Sequence, residues 1–120
     1  MSPEEGDPAY LWDMLDAARR VVQFTRGVTF AAYVGDPMRQ MAVERALEIL
    51  GEAARRVSEG FRQAHPEIPW RDLVGQRNVL AHDYGEIKQD RIWETATQHA
   101  PRLVGMLEPL LPPPPSEEVH

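Results

Sequence analysis

Apolar residues recur at intervals of three and four from about residue 9 to residue 107, and no alternating run of β-branched residues is long enough to suggest a strand. This spacing places the apolar side chains on one face of a helix, so they can be buried only where helices pack together. Proline and glycine divide the pattern into four or five helices with short connections. The sequence therefore predicts an all-α antiparallel bundle.

Capping residues mark where these helices start and end. Asp7 followed by Pro8 is suited to open the first helix, and Asp36 followed by Pro37 repeats that signal at the start of a long second helix. Glycines mark the other boundaries: Gly27 after the first helix, Gly35 after a short turn over 29–34, Gly60 after the second helix and Gly85 after a third helix over 70–84. A last helical pattern begins near residue 90, and Pro101 is expected to interrupt it by a kink or by a break into two helices.

Each long helix carries an apolar stripe, which we interpret as its buried face. The predicted stripes are Leu11, Leu15, Ala18, Val22 and Thr25; then Met38, Met41, Ala42, Ile49, Ala53 and Val57; and then Ile92, Trp93, Ala96, Ala100, Leu103 and Leu107. Trp70 and Trp93 are expected to anchor the core or a dimer interface. Periodicity cannot separate these two cases, because a face that meets a partner chain has the same pattern as one that meets its own core.

The charge is distributed unevenly along the 120 residues. The net charge is −6, yet residues 1–16 hold five acids and residues 108–120 hold three, with no base in either segment. Residues 17–107 carry a charge of +2, and twelve of their thirteen basic residues are arginine, the exception being Lys88. We therefore predict an acidic lead over 1–8, one helical domain over 9–111 and a disordered, proline-rich acidic tail over 112–120.

Several function classes are excluded by composition and motif. The chain has no cysteine, so it has no disulfide, no thiolate metal site and no cysteine nucleophile. It also lacks a glycine-rich phosphate loop, paired metal-binding histidines and a serine elbow. No apolar run approaches the ~18 residues of a membrane span, and the first residues are acidic rather than basic. These features predict a soluble, cytoplasmic protein that does not associate with membranes.

The segment over 77–84 concentrates the polar chemistry of the chain. Arg77 offers a fixed positive charge with five donors for a phosphoryl group, and His82 can exchange a proton near neutral pH. Together they suffice for cleavage of RNA by its own 2′-hydroxyl without a metal or cofactor. On an ideal helix they lie about 140° apart and about 7.5 Å apart along the axis. A site that uses both needs a helix that loosens near Gly85 or a second subunit, and we expect a twofold homodimer.

The same segment resembles a known protein family. Arg77-x4-His82-x-Tyr84 matches the R-x4-H-x-Y motif of HepT-like proteins, which have the HEPN fold and are the toxins of HEPN/MNT toxin–antitoxin pairs. Further stretches are similar to that family's, in the same order: Leu11-Trp-Asp-Met-Leu-Asp-Ala17, Ile49-Leu-Gly-Glu-Ala-Ala54, Pro66-Glu-Ile-Pro-Trp-Arg71 and Ile92-Trp-Glu-Thr95. The resemblance covers roughly residues 9–110.

The resemblance implies a homodimeric, metal-independent endoribonuclease of a type VII-like toxin–antitoxin system. Arg77 and His82 would form the catalytic site across the dimer, with Asn78 as a polar contributor. Tyr84 would accept AMP from a cognate MNT-type nucleotidyltransferase antitoxin, which silences the toxin. The chain departs from the family at Gly85-Glu86-Ile87-Lys88, where members often carry an aromatic–glycine pair and an acid.

A second reading of the chain assigns it no catalysis. Arg77 would then be a surface residue or ion-pair partner, and His82 would simply favour the negative end of the helix dipole. On that alternative the protein is a non-catalytic helical binding module that docks a nucleotidyltransferase.

Overall fold

The computed structural model describes residues 3–82 and 88–111, with side chains described for residues 4–81 and 88–111. The predicted tail over 112–120 and the predicted cap Gly85 lie outside these residues. In chain order the described elements are α1 (Pro3–Thr25), α2 (Phe30–Val34), α3 (Pro37–Arg56), α4 (Glu59–Ala64), α5 (Trp70–His82), α6 (Gln89–Glu94), a π-helical turn (Thr95–His99), α7 (Ala100–Leu107) and a 3-10 turn (Glu108–Leu110). The described part contains no strand, which confirms the predicted all-α fold.

Helix α3 is the central element of the bundle. It packs against α1 on one side and α5 on the other, while α7 packs on α1. The core between them is built mainly from aliphatic side chains that are almost fully buried: Leu11, Met14, Leu15, Ala18, Val21, Val43, Leu47, Leu50, Ala54, Leu103 and Leu107. Each large side chain of this set contributes about 1.5–3 kcal/mol when it leaves water.

The buried face of α3 differs from the predicted one. Met38, Met41 and Ile49 are exposed by 83, 68 and 39 %. The face that enters the core is instead Val43, Ala46, Leu47, Leu50, Gly51, Ala53 and Ala54. Only Ala53 and Val57 of the predicted stripe are buried, and Ala42 is half-buried. Because α3 carries apolar residues on two faces, the period alone assigned the wrong one to the core.

The sequence predicts that Asp7 caps α1, and this prediction is wrong. The helix already begins at Pro3, and Pro8 lies within it. Asp7 is instead buried and accepts hydrogen bonds from the backbone N–H of Ser58 at 2.8 Å and from its hydroxyl at 2.6 Å. The same Ser58 oxygen accepts from the N–H of Phe61 and so caps α4. One carboxylate thus joins the start of α1 to the junction between α3 and α4.

Other boundaries follow the sequence with two differences. Asp36 caps α3, Thr29 caps α2, and Gly27 has a positive φ of 73° just after α1, as its role of terminator requires. However, α3 ends at Arg56, because Ser58 starts a new helix that contains Gly60. Pro101 does not mark the interruption itself: it lies in the first turn of α7, and a π-helical turn over Thr95–His99 separates α7 from α6.

Helices α3 and α5 are in close contact at Gly51. A Cβ at this position would lie 2.5 Å from the carbonyl oxygen of Leu73 and closer still to the Cβ of Arg77. The contact therefore exists only because residue 51 has no side chain.

No helix in the described part of the chain has the length and apolar character to cross a bilayer.

Gly51→Ala is expected to lower the free energy of unfolding by about 1–3 kcal/mol, because the added methyl group forces α5 away from α3. Gly105→Ala is the matched control. Gly105 lies in α7 with open space where its Cβ would be, so alanine should stabilise the fold by about 0.4–1 kcal/mol. Urea denaturation of both variants measures the difference, and a Gly51→Ala protein as stable as wild type would contradict the close contact.

Candidate active site

The residues that the sequence singled out lie at the end of α5. Arg77 and Asn78 are in its last two turns, and His82 is its final residue. The side chain of His82, together with Tyr84 and the rest of the segment over 83–87, lies outside the described residues. The helix is continuous from Arg77 to His82, so the backbone positions of these two residues are about 140° apart around its axis.

Arg77 is held in place by two neighbours. Its Nη2 lies 3.1 Å from Oε1 of Glu52 on α3, and its Nη1 donates to Oδ1 of Asn78 at 3.1 Å. Its Nε is buried and has no hydrogen-bond partner among the described residues. The side chain is 25 % exposed, so the guanidinium is partly shielded from water but still reachable. Such a group can interact strongly with an arriving anion.

Glu52 is shared among three arginines. Besides Arg77, it accepts two hydrogen bonds from Arg55, at 3.2 and 2.8 Å, and one from Arg56 at 2.9 Å. The hydrogen bonds from Arg55 and then from Arg56 lower the pKa of the Glu52 carboxyl from 4.5 to about 2, and the charge of Arg77 adds to this effect. Glu52 is therefore ionised at any physiological pH and neutralises only part of the surrounding positive charge.

A groove opens beside Arg77 between α1 and α3. It has a volume of about 360 Å³ and is lined by Tyr10, Asp13, Arg45, Glu48, Ile49, Glu52, Ala53, Arg56 and Arg77. Its three arginines face an equal number of carboxylates, so its charge is balanced. The surface of this groove therefore has no excess positive charge with which to hold an extended polyanion.

After α5, the chain is hydrogen-bonded to the rest of the bundle through Gln89. Gln89 accepts a hydrogen bond from the hydroxyl of Tyr33 at 2.6 Å and donates to Glu44 on α3 at 2.7 Å. Burial, with a smaller contribution from the charge of Glu44, raises the pKa of Tyr33 to about 12, so this phenol stays protonated as the donor. Gly51 contacts the middle of α5, and Glu44, which precedes Gly51 on α3, is hydrogen-bonded to Gln89, which follows α5 in the chain. Helices α3 and α5 therefore run antiparallel. The end of α5 thus points towards the N-terminal half of α3.

Two residues of the site, Gly51 and Glu52, were not predicted from the sequence. Gly51 stands inside a helix, where glycine costs about 1 kcal/mol relative to alanine, and this cost is a signal of close backbone approach. Glu52 is followed by arginines three and four positions later, the spacing of ion pairs on one helix face. The pairing of Glu52 with Arg77 had no such local signal, because it joins two helices.

Among the described residues no three His, Asp or Glu side chains are grouped so as to hold a metal ion.

Glu52→Gln is expected to destabilise the fold at neutral pH and to lose that effect in acid. A carboxyl whose pKa is lowered on folding stabilises the folded state above about pH 4.5, and this contribution disappears as the pH falls towards about 2. The difference between wild type and variant in the free energy of unfolding should therefore be constant above pH ~5 and shrink below it.

Urea denaturation across this pH range measures the effect. Glu94→Gln is the control, because Glu94 is exposed on α6 and has no ion pair within the described ranges. A difference for Glu52→Gln that is independent of pH would contradict the shared ion pair.

Comparison with known proteins assigns the chain to a family. Residues 14–110 match the model of the HepT-like family, described as "Ribonuclease HepT-like". The chain is 37 % identical over 95 residues to "Putative RNase MJ1380" of Methanocaldococcus jannaschii, covering 79 % of this chain and 87 % of that protein. It is 39 % identical over 101 residues to "Probable ribonuclease HepT" of Thermococcus cleftensis, covering 84 % and 92 %. No solved structure gives a significant match. The protein is therefore a member of the HepT-like family.

Proposed function

We propose that this protein is a metal-independent endoribonuclease and the toxin of a toxin–antitoxin pair, with Arg77, Asn78 and His82 as its catalytic residues. The observation that carries the proposal is the placement of Arg77. Its guanidinium is oriented by Glu52 and Asn78, retains a buried Nε without a partner in the described part of the chain, and lies on the same helix as His82. The names of the relatives support ribonuclease activity.

The proposed reaction needs only acid–base chemistry and charge stabilisation. His82 of one chain takes the proton from the 2′-hydroxyl, which attacks the adjacent phosphorus and displaces the 5′-oxygen of the next nucleotide. A second His82 protonates that leaving oxygen, so the products are a 2′,3′-cyclic phosphate and a 5′-hydroxyl. Arg77 stabilises the charge that develops on the phosphorane oxygens, and Asn78 holds Arg77 in position.

A homodimer accounts for how the two catalytic residues meet. The helix is continuous between Arg77 and His82, so within one chain their backbone positions lie on different sides of α5. An apolar surface available for a partner lies near the same end of the bundle: Phe30, Val34, Met38 and Met41 are all more than 40 % exposed. They lie on α2 and the first turns of α3, the half of α3 towards which the end of α5 points. A twofold axis there would bring two copies of Arg77 and His82 together.

Regulation is proposed to act at Tyr84, two residues beyond the end of α5. A cognate MNT-type nucleotidyltransferase would transfer AMP to the Tyr84 hydroxyl and so add a phosphate and a nucleoside to the segment that also carries the Arg77 guanidinium. The added negative charge would compete with RNA for this guanidinium and its bulk would obstruct the site. The cytoplasm, where such a partner and its RNA targets meet, is the proposed location.

His82→Ala is expected to reduce RNA cleavage in the presence of EDTA by at least about 100-fold, because general acid–base catalysis is lost. Arg77→Ala should cause a loss of similar size, because the phosphorane charge is no longer stabilised. Gel analysis of a defined RNA measures the rate, and light scattering checks that each variant remains a dimer. His99→Ala and Arg102→Ala remove the same residue types from exposed positions in the last helical region and serve as controls.

Undiminished, EDTA-resistant cleavage by the His82→Ala dimer would contradict the catalytic assignment. If the wild-type protein binds a nucleotidyltransferase but never cleaves RNA, and Arg77→Ala leaves that association unchanged, the chain is instead a docking module.

Co-expression with a nucleotidyltransferase encoded beside this chain is expected to raise its intact mass in steps of about 329 Da, one AMP each. Tyr84→Phe should abolish the increase, because the acceptor hydroxyl is missing, while Tyr10→Phe should retain it. Intact-mass spectrometry measures both. An unchanged AMP adduct on the Tyr84→Phe protein would refute the assignment of the modified residue.

A further inference from the structure

A second groove lies on the other side of the Arg77–Asn78 pair, between α4 and α5. Its volume is about 580 Å³, larger than that of the groove beside Arg77. Three arginines line it, Arg55 from α3, Arg62 from α4 and Arg71 from α5, together with a single carboxylate, Glu59. We call it the arginine groove. Unlike the balanced groove beside Arg77, it carries an excess of positive charge.

The arginines of this groove differ in how far they are already neutralised. Arg55 is paired with Glu52. Arg62 and Arg71 have no ion pair within residues 4–81 and 88–111, and the Nε of Arg62 is buried without a hydrogen-bond partner there. Glu59 is engaged by the side-chain amide of Gln63 at 3.2 Å. Two guanidinium groups are therefore available to an anion, and one of them already has a desolvated donor.

The arginine groove reaches the candidate catalytic residues through Asn78. Asn78 lines this groove, and its side chain accepts the hydrogen bond from Arg77, which lines the other groove. A chain of phosphates bound along Arg62 and Arg71 would therefore arrive next to the guanidinium that is proposed to stabilise the phosphorane. Both arginines can contact phosphate oxygens in a bidentate manner, which positions a nucleic acid without reading its sequence.

We infer that the arginine groove binds the sugar–phosphate backbone of the RNA substrate and delivers the scissile phosphate to Arg77. This inference rests on the proposed ribonuclease function and adds to it a binding site outside the R-x4-H motif. Because the contacts are made to phosphates, the groove contributes affinity for single-stranded RNA of any sequence, and this contribution weakens as salt concentration rises.

The test uses a His82→Ala background, in which RNA is bound but not cleaved, and a fluorescently labelled oligouridylate of about twelve nucleotides as the probe. Arg62→Gln and Arg71→Gln are each expected to weaken binding about tenfold. Each should also reduce the slope of log affinity against log salt concentration by about 0.7, the value for one phosphate contact with a single strand. Arg71→Lys should retain most of the slope, because it keeps the charge.

Arg102→Gln is the matched control, since it removes one exposed arginine from α7, which packs on α1 rather than on α4 or α5. Arg71 is also exposed, so its replacement tests the groove without disturbing the fold even if the half-buried Arg62 affects stability. Circular dichroism checks that each variant is folded.

Three results would overturn the inference and leave the proposed function in place. Equal loss of binding in Arg102→Gln would show an effect of net charge alone. If both groove variants bind RNA normally and the protein that retains His82 cleaves it, the groove is not an RNA-binding site, but the ribonuclease function is still supported. Normal RNA binding combined with lost association with the nucleotidyltransferase would assign the groove to that protein instead. A wild-type protein that neither binds nor cleaves RNA would overturn the proposed function itself.

Discussion

The geometry of the candidate site depends on residue 51 being glycine, which has no side chain. At this point α5 comes so close to α3 that even a methyl group would overlap with the backbone of Leu73 and the stem of Arg77. The close approach allows the carboxylate of Glu52, the next residue on α3, to reach the guanidinium of Arg77. A packing constraint in the middle of a helix therefore decides where a charged group at the surface is held.

The local distribution of charge on this protein differs from what its net charge suggests. The acidic residues at the two ends of the sequence dominate the net value of −6, but the arginine groove between α4 and α5 is lined by three arginines and one carboxylate. An acidic protein can thus present a local anion-binding surface. Repulsion from the rest of the chain would keep its affinity for unrelated polyanions low.

Local signals were sufficient to predict much of the fold. Asp36 caps α3 where the sequence predicts, since a cap is formed by a side chain and the backbone two or three residues away. Asp7 offers the same signal, but its carboxylate is used by Ser58, 51 positions later, and no local pattern reports such a partner.

The same limit explains the errors on α3 and at the site. Met41 and Leu47 both belong to apolar faces of one helix, and which face is buried depends on where α1 and α5 pack. The segment with Arg77 was found because its residue types are chemically unusual together. Its carboxylate partner was not found, since Glu52 lies on another helix. The side chains of His82 and Tyr84 lie outside the described residues, so their roles stay predictions.

The shared carboxylate has a consequence for turnover. Glu52 is covalently part of the same chain as Arg77 and cannot diffuse away, so it acts as a competitor anion at a high effective concentration. Any phosphate that binds Arg77 must compete with Glu52 for the Nη2 group, and Glu52 remains beside the guanidinium after the reaction. In an enzyme that uses Arg77 on phosphates, the same ion pair that orients the guanidinium would thus limit how tightly the product is retained.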